Sequence, residues 1–282
     1  MSAPAGRALP TFVIIGAMKS GTTSLYQYVG HHPDVFMSNP KELHFFSRPG
    51  KHDVDWYSGH FTSAAGMRAI GEASASYTTY PDSEGVPERM ASVIPEARLI
   101  YLVRHPIERM RSHYLHRLGA GKESAPIERA LIEDPIYLRT SCYAEQIERF
   151  LEHYPRDQVM IVESERMRAD RESTLHRILE FLGVDATSMP AVPDREYYQT
   201  SEKRVPRPLA QTLRRKQHAR TLVKHLPDPV AGWGRRLALH RMPEERGQIP
   251  PDVRRRLEDS LRGDVRRLRD IAGGGFDGWG IE

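Results

Sequence analysis

The chain has 282 residues, enough for one large α/β domain or for a core domain with an appendage. Hydrophobic residues make up 39% of the chain and charged residues 28%, a composition that argues against disorder throughout. A single cysteine, Cys142, excludes an internal disulfide framework and a zinc site built from cysteines, and it fits a reducing compartment. The longest apolar run near the start, residues 12–15, is too short to span a membrane, so we expect a soluble, cytoplasmic protein.

The net charge of +4 is unevenly distributed along the chain. Residues 1–206 carry 24 basic and 27 acidic side chains, whereas residues 207–282 carry 17 basic and 10 acidic ones. A basic carboxyl-terminal third is compatible with a polyanionic partner, but arginines on helices usually face solvent. We therefore interpret these arginines mostly as surface residues and expect no nucleic-acid partner.

Strands alternate with helices along the first two thirds of the chain. Compact apolar runs predict strands, and a segment with helical spacing follows each of them. Pro106 suits the first turn of the second helix, and Gly183 suits the end of the third. The predicted strands are 11–16, 98–103 and 158–162, and the helices that follow them are 22–29, 106–118 and 173–182. This alternation predicts an α/β fold whose central, mostly parallel sheet is covered by helices on both faces.

The segments outside these three units are less regular. Residues 39–80 are predicted to be rich in loops, over a length that calls for a function, and residues 142–153 are predicted to be helical. Apolar residues recur at helical spacing from Val253 to Leu268, which predicts a further helix. We expect Trp279, in the tail that follows, to pack back on the domain.

The segment between the first strand and the first helix has the composition of an anion site. Residues 16–24 read GAMKSGTTS, so backbone N–H groups and the positive end of a helix face one point. A nucleotide-hydrolysing P-loop has its lysine directly after the second glycine, whereas here Lys19 precedes Gly21 and Thr22 follows it. A phosphate or sulfate cradle is therefore favoured over a Walker site, and an ordinary tight turn is the alternative.

Three motifs together resemble a known family. They are residues 14–25 (IIGAMKSGTTSL), residues 41–46 (KELHFF) and residues 102–114 (LVRHPIERMRSHY). They are similar to the sulfotransferases that use 3′-phosphoadenosine 5′-phosphosulfate (PAPS), specifically to the heparan sulfate branch. The resemblance implies a P-loop-like three-layer fold and sulfuryl transfer to a hydroxyl, or less commonly to an amine. It also implies that PAPS is held by Lys19, Ser20, Gly21, Thr22, Thr23, Ser24, Arg104 and Ser112.

The chemistry of the reaction is consistent with these roles. Sulfuryl transfer needs the donor and acceptor held in line and the charge on the leaving phosphate neutralised, which Lys19 would do. The acceptor loses a proton as it attacks, so a base must lie within reach. Glu42 and His44 are the candidates. The heparan sulfate branch favours Glu42, which we rank first, whereas the small-molecule cytosolic sulfotransferases would favour a histidine.

The chain departs from the family pattern at two places. Several members have a lysine where this chain has Ala73, and Lys41 is a candidate to replace its charge. The basic loop that covers the nucleotide late in the family's sequence is matched only loosely, by Lys203 and Arg204. The cysteine pair that accompanies this loop in the animal enzymes is absent, which suits a cytosolic, bacterial relative.

We expect one sulfotransferase domain over residues 1–282. Residues 1–185 would form the nucleotide-binding core, and the mostly helical, basic residues 186–282 would complete the donor and acceptor sites. The thirteen histidines show no metal-ligand spacing, so no metal is expected. The acceptor would be a small molecule or a glycan. Two other functions remain as alternatives, a nucleotide kinase-like P-loop enzyme and a basic polyanion-binding protein.

Overall fold

A parallel sheet of five strands forms the centre of the computed structural model, which describes residues 7–191, 204–206, 239–241 and 244–281. The strands lie in the order β2-β3-β1-β4-β5, and all four neighbouring pairs are parallel. Their bounds are Phe12–Gly16 (β1), Val35–Met37 (β2), Ala69–Ala73 (β3), Arg98–Val103 (β4) and Val159–Glu163 (β5). The predicted central parallel sheet is therefore confirmed.

Helices cover both faces of this sheet, which makes the fold three-layered. Alternation along β1 sends Val13 and Ile15 into one apolar core and Phe12 and Ile14 into the other. The helices are Thr22–Val29 (α1), Val54–Gly59 (α2), Val86–Val93 (α3), Pro106–Gly119 (α4), Ile127–Glu133 (α5), Pro135–Arg139 (α6), Tyr143–Leu151 (α7), Ser164–Ala169 (α8), Arg171–Leu182 (α9) and Pro251–Ala272 (α10). The core with Val13 includes residues of α2, α3 and α7, and the other core includes residues of α1 and α9.

The loop-rich prediction for residues 39–80 is wrong in one respect. This stretch contains α2 and also β3, which lies between β1 and β2 in the sheet. The sequence of β3, AIGEA, has little of the β-branched character that marks a strand. Packing selects it instead, because a Cβ atom at Gly71 would lie 2.2 Å from the Phe12 ring.

The helix predicted over residues 173–182 begins two residues earlier, at Arg171. The Asp170 side chain accepts a hydrogen bond from the Ser173 N–H at 3.2 Å and caps this earlier start. The helix ends at Gly183, whose φ of +77° is the left-handed conformation that a helix terminus favours. The expected C-cap at this glycine is therefore confirmed.

The described part of the carboxyl-terminal third consists of a short hairpin and one long helix. Strands Arg204–Pro206 (β6) and Leu239–Arg241 (β7) pair in an antiparallel manner. Helix α10 buries the apolar series that ends at Leu268 and exposes Arg255, Arg256, Arg262, Arg266 and Arg267, which confirms the surface interpretation for these arginines. None of the helices within the described ranges combines the length and apolar character needed to cross a membrane.

Two contacts fasten the carboxyl-terminal region to the core. The Asp264 carboxylate of α10 accepts hydrogen bonds from the N–H groups of Ala144 and Glu145, both at 3.0 Å, and so caps the start of α7. Trp279 packs against the rings of Tyr143 and Phe276, with centroid distances of 5.9 and 4.7 Å. The expected return of Trp279 to the domain is confirmed.

At the end of β1, the backbone of Gly16 and the side chain of Thr78 come close together. A Cβ atom built on Gly16 would lie 1.9 Å from Thr78 Oγ1 and 3.2 Å from the ring of Tyr101. The Thr78 hydroxyl donates a hydrogen bond to the Ile15 carbonyl at 3.2 Å. Only glycine fits at position 16, and the segment after β3 therefore rests directly against the segment after β1.

Candidate functional site

A cavity of about 840 Å³ lies where β1 and β4 end, and it gathers the residues predicted for the site. Its lining includes Lys19, Ser20, Gly21, Thr22, Thr23, Ser24, Glu42, His44, Arg104 and Ser112. Two predicted residues are not tested by this geometry. Lys203 lies outside the described residues, and the side chain of Arg204 is outside them too, although its strand β6 lies beside α4.

The loop between β1 and α1 presents an uncapped helix start to this cavity. Gly21 precedes α1 with a φ of +100°, and no side chain within the described ranges caps the first turn. The N–H groups of Thr22 and the next two residues open a helix of eight residues, whose positive end attracts an anion. The loop therefore has the geometry of an oxyanion cradle, with Lys19 beside it.

Arg104 follows β4 and lies in the lining with Ser112 of α4. Its Nε atom is buried and has no hydrogen-bond partner among the residues that the structure describes. Burial lowers the pKa of the Arg104 guanidinium, nearby Arg168 lowers it further, and Glu108 and Glu165 oppose the shift. A bound anion would supply both the missing partner and the missing negative charge.

Two hydrogen bonds fix the backbone of the turn that carries Arg104. The Tyr143 hydroxyl donates a hydrogen bond to the Arg104 carbonyl at 2.8 Å, and Glu165 Oε1 accepts one from the His105 N–H at 3.0 Å. The two bonds engage the carbonyl and the N–H of the same peptide group, the one that joins Arg104 to His105. The guanidinium is therefore presented from a rigid support.

The structure adds four lining residues with basic side chains that sequence reasoning missed: Arg111, His116, Arg168 and Arg171. Helical spacing could have found one of them, because His116 lies one turn beyond Ser112 on α4. Arg168 and Arg171 follow β5, the strand beside β4, so they meet the same edge of the sheet. Across the described lining, five lysine and arginine side chains face one carboxylate, that of Glu42.

Glu42 and His44 lie close together in the cavity lining, beside the end of β3. Glu42 Oε1 pairs with Lys41 Nζ, and Glu42 Oε2 accepts a hydrogen bond from the Ala75 N–H at 3.0 Å. His44 Nδ1 lies 2.7 Å from the Ser76 hydroxyl oxygen, and His44 Nε2 lies 3.9 Å from Glu42 Oε2. Lys41, the candidate to replace the lysine missing at position 73, therefore contacts the carboxylate proposed as base.

Charge and burial act together on the His44 ring. Burial lowers the pKa of His44, and the positive charges of Arg48, Lys41 and Lys51 lower it further. The negative charge of Glu42 acts in the opposite direction. The net shift is downward, so the imidazole is neutral at pH 7.

The three predicted catalytic residues share a rare backbone conformation. Lys19, Glu42 and His44 have φ values of +76°, +67° and +57°. Trp279 is the one other non-glycine residue with positive φ in the described part of the chain. Left-handed backbone costs a side-chain-bearing residue about 1–3 kcal/mol, and such strain concentrates at functional sites. The conformation marks these residues independently of the motifs that first singled them out.

A family model described as "Sulfotransferase domain" matches residues 9–216 of this chain. The bifunctional heparan sulfate N-deacetylase/N-sulfotransferase 2 of Homo sapiens is 32% identical over 198 residues, which cover 62% of this chain and 22% of that protein. The corresponding type 3 protein of Homo sapiens is 31% identical over 200 residues, with the same shares of each chain. This chain therefore spans about a fifth of the length of the curated relatives it matches.

Solved structures show the same similarity in three dimensions. The crystal structure of a sulfotransferase from Alicyclobacillus acidocaldarius has a TM-score of 0.69 at 26% identity, covering 96% of this chain and 99% of that one. A mouse sulfotransferase, SULT7A1, complexed with PAP has a TM-score of 0.50 at 14% identity, covering 98% and 89%. The second likeness concerns the fold alone.

Proposed function

The chain belongs to the sulfotransferase domain family, and we propose that it transfers the sulfuryl group of PAPS to a hydroxyl of a glycan, glycolipid or secondary metabolite. An amine is the alternative acceptor, because the curated relatives carry N-sulfotransferase in their names. The observation that carries the proposal is that one cavity is lined by a cationic anion cradle together with Glu42 and His44.

The lining supports a donor with several negative charges. Five lysine and arginine side chains contribute to the described lining, and such side chains are suited to contact a nucleotide with phosphate groups at both ends. The volume of about 840 Å³ is within the range of ligand sites and leaves room for part of an acceptor. The loop from Lys19 to Ser24 would hold the 5′-phosphosulfate, and Arg104 with Ser112 would hold the 3′-phosphate.

The residues would divide the reaction between them. The acceptor oxygen forms a bond to sulfur while the bond from sulfur to the bridging phosphate oxygen breaks. Lys19 and the N–H groups of α1 would stabilise the negative charge that appears on that oxygen. Glu42 Oε2 would take the acceptor proton, and His44, neutral and 3.9 Å from this atom, would orient the acceptor or serve as an alternative base.

The arrangement of the whole chain is part of the proposal. Residues 1–185 would form the nucleotide-binding core, and residues 186–282 would complete the donor and acceptor sites. The position of β6 beside α4 supports a donor contact from Lys203 and Arg204, since α4 carries Ser112. The single cysteine supports a cytoplasmic location, and the likeness to the Alicyclobacillus sulfotransferase supports a bacterial source.

Two measurements test the function in sequence. The first is a thermal-shift and calorimetric titration with 3′-phosphoadenosine 5′-phosphate (PAP), which should bind more tightly than AMP or ATP. The second is mass spectrometry of a panel of glycans, glycolipids and secondary metabolites after incubation with enzyme and PAPS. Gain of one sulfuryl group by a panel member is expected. Equal binding of PAP and AMP, with no sulfated product, would contradict the proposal.

A further inference from the structure

A buried carboxylate lies behind the Glu42 and His44 loop. Glu72, on β3, is completely buried and accepts hydrogen bonds from three hydroxyl groups. Tyr57 donates to Oε2 at 2.7 Å, Tyr77 donates to Oε1 at 2.9 Å, and Ser74 donates to Oε1 at 2.5 Å. Burial raises the pKa of Glu72, and these hydrogen bonds oppose that shift. The net shift is upward. A carboxylate accepts hydrogen bonds only, so in the ionised form of Glu72 all three hydroxyl protons point at it.

Two of the three hydroxyls also contact the loop that carries His44. The Ser74 oxygen accepts a hydrogen bond from the His44 N–H at 2.9 Å, and the Tyr77 oxygen accepts one from the Phe46 N–H at 3.5 Å. A hydroxyl can donate one hydrogen bond, and both Ser74 and Tyr77 donate theirs to Glu72. The lone pairs of Ser74 and Tyr77 are therefore left to face the loop N–H groups.

This arrangement bears on the strained part of the site. His44 has a φ of +57°, and a hydrogen bond to its own N–H opposes relaxation toward an ordinary conformation. The His44 ring contacts Ser76, which belongs to the same segment as Ser74, and the Glu42 carboxylate accepts a hydrogen bond from the Ala75 N–H. Both candidate bases are thus attached to the residues that follow Glu72 in the chain.

We propose that Glu72 is a positioning residue for the transfer step, acting through the Ser74 and Tyr77 hydroxyls to hold the His44 backbone in its left-handed conformation. The effect on the rate of transfer rests on the proposed function. The effect on the conformation of the loop does not, because it concerns the protein in the absence of any substrate. Glu72 itself lies outside the cavity lining and contacts no substrate.

The test substitutes Glu72→Leu and compares it with Tyr57→Phe. Leucine is close to glutamate in size but accepts no hydrogen bond, so the Ser74 and Tyr77 hydroxyls lose the acceptor that turns their protons away from the loop. Tyr57→Phe is the matched control, because the Tyr57 hydroxyl bonds to Glu72 but not to the loop. It removes one buried hydrogen bond of the same carboxylate and keeps the aromatic ring that packs on Phe45.

The first readout is the titration of the His44 ring by NMR, with the signal assigned by its loss in His44→Gln. In the wild type, burial depresses the pKa of His44, and both variants keep the charged groups Glu42, Lys41, Arg48 and Lys51 that act on the ring. Glu72→Leu also removes the negative charge of Glu72, which by itself would lower the pKa of His44. Release of the loop in this variant should expose the ring and raise the pKa of His44. Tyr57→Phe should leave it at the wild-type value.

The second readout is kinetic and uses an acceptor found by the panel. Glu72→Leu should lower kcat by about 10- to 100-fold, the cost of a small displacement of a reacting group, with PAP affinity unchanged. Ser74→Ala removes the hydroxyl between Glu72 and the His44 N–H while keeping the carboxylate, and it should reproduce both effects. It keeps the proposal testable if Glu72→Leu does not fold. A wild-type His44 titration in both variants would overturn the proposal. So would the same shift in Tyr57→Phe. If no panel member is sulfated, the titration still decides the positioning role.

Discussion

The Glu42 carboxylate and the His44 imidazole approach within 3.9 Å, measured from Oε2 to Nε2, on a loop where both residues have left-handed backbone. Both side chains line the same cavity, so either could serve as the proposed base. Their contributions must therefore be separated by substitution. Glu42→Gln keeps the size of the side chain and removes the proton acceptor, so kcat should fall by about 10²–10⁴-fold with donor affinity unchanged.

His44→Ala is the paired measurement under the same conditions. It should reduce kcat less than Glu42→Gln does, since the neutral imidazole orients the acceptor in the proposed mechanism. A near wild-type rate in Glu42→Gln, together with an inactive His44→Ala that still binds PAP, would assign the base to His44. If both variants stay active, the acceptor is acidic enough, as a phenol is, to need no strong base.

Lys19 is expected to act on the transition state more than on donor binding. The charge that it stabilises grows as the sulfur to oxygen bond breaks, so Lys19→Ala should lower kcat by about 10²–10³-fold and change the donor KM little. Steady-state kinetics with varied PAPS measures both constants. Lys122→Ala, an exposed lysine after α4, is the control. A retained kcat with a raised donor KM would make Lys19 a binding residue.

Arg104→Ala should remove the preference for a 3′-phosphate. The buried guanidinium lacks a partner at Nε among the described residues, and a charge-assisted hydrogen bond contributes about 1.5–3 kcal/mol. PAP affinity should therefore fall by about 10- to 100-fold while AMP affinity changes little, as measured by calorimetry. Arg255→Ala on the exposed face of α10 should change neither. Equal losses for the two nucleotides would contradict the assignment.

His113 makes the stability of the fold depend on pH. Burial, with Arg109 and Arg117 nearby, lowers the pKa of His113 to about 2 in the folded protein, whereas an unfolded histidine has a pKa near 6.5. The unfolded chain therefore binds a proton below pH ~6.5 that the folded chain does not bind. The free energy of unfolding should be highest above this pH and fall below it, by up to about 1.4 kcal/mol per pH unit from this group.

Urea unfolding between pH 7.5 and 5.5 measures this dependence. The pKa values of His44 and His105 are also lowered, so they add to the slope in the same direction. His113→Gln should remove the contribution of His113, so that the free energy of unfolding depends less steeply on pH. The same slope in the variant and the wild type would show that His113 is not the group responsible.

Asp264→Ala should destabilise the fold through a helix to which Asp264 does not belong. The carboxylate accepts two N–H groups at the start of α7, and loss of a capping side chain costs about 0.5–2 kcal/mol. Chemical denaturation measures the change. Asp259→Ala, five residues earlier on α10 and exposed, pairs only with Arg262 across one helical turn and should cost less than about 0.5 kcal/mol.

Much of the central sheet could be predicted because its strands are apolar on both faces. The run of residues 98–103 is buried from its second residue onward, so composition alone marks it as a strand. Strand β3 offers no such signal. Its Gly71 and Glu72 are unusual in a strand, and they are selected by contacts with Phe12 and with three hydroxyls that lie outside the strand.

The residues of the site also divide into those that the sequence predicts and those that it does not. Lys19 and Arg104 lie directly after predicted strands, so the convergence of strand ends in a parallel sheet anticipated their meeting. Arg168 and Arg171 also follow a strand, but the neighbour relation of β4 and β5 was needed to bring them to the cavity. The link from Glu72 to the His44 loop could not be predicted from sequence, because it depends on contacts of Ser74 and Tyr77 with residues about 30 positions earlier in the chain.

The contact between Gly16 and Thr78 sets how precisely the two halves of the reaction are aligned. Position 16 leads into the loop proposed to hold the donor, and Thr78 ends the segment that holds Glu42 and His44. With 1.9 Å between a Cβ at position 16 and Thr78 Oγ1, the gap is smaller than one methyl group. A methyl group in place of one glycine hydrogen at position 16 would therefore push apart the two segments proposed to hold the donor and the acceptor, although it would remove no polar group of the site.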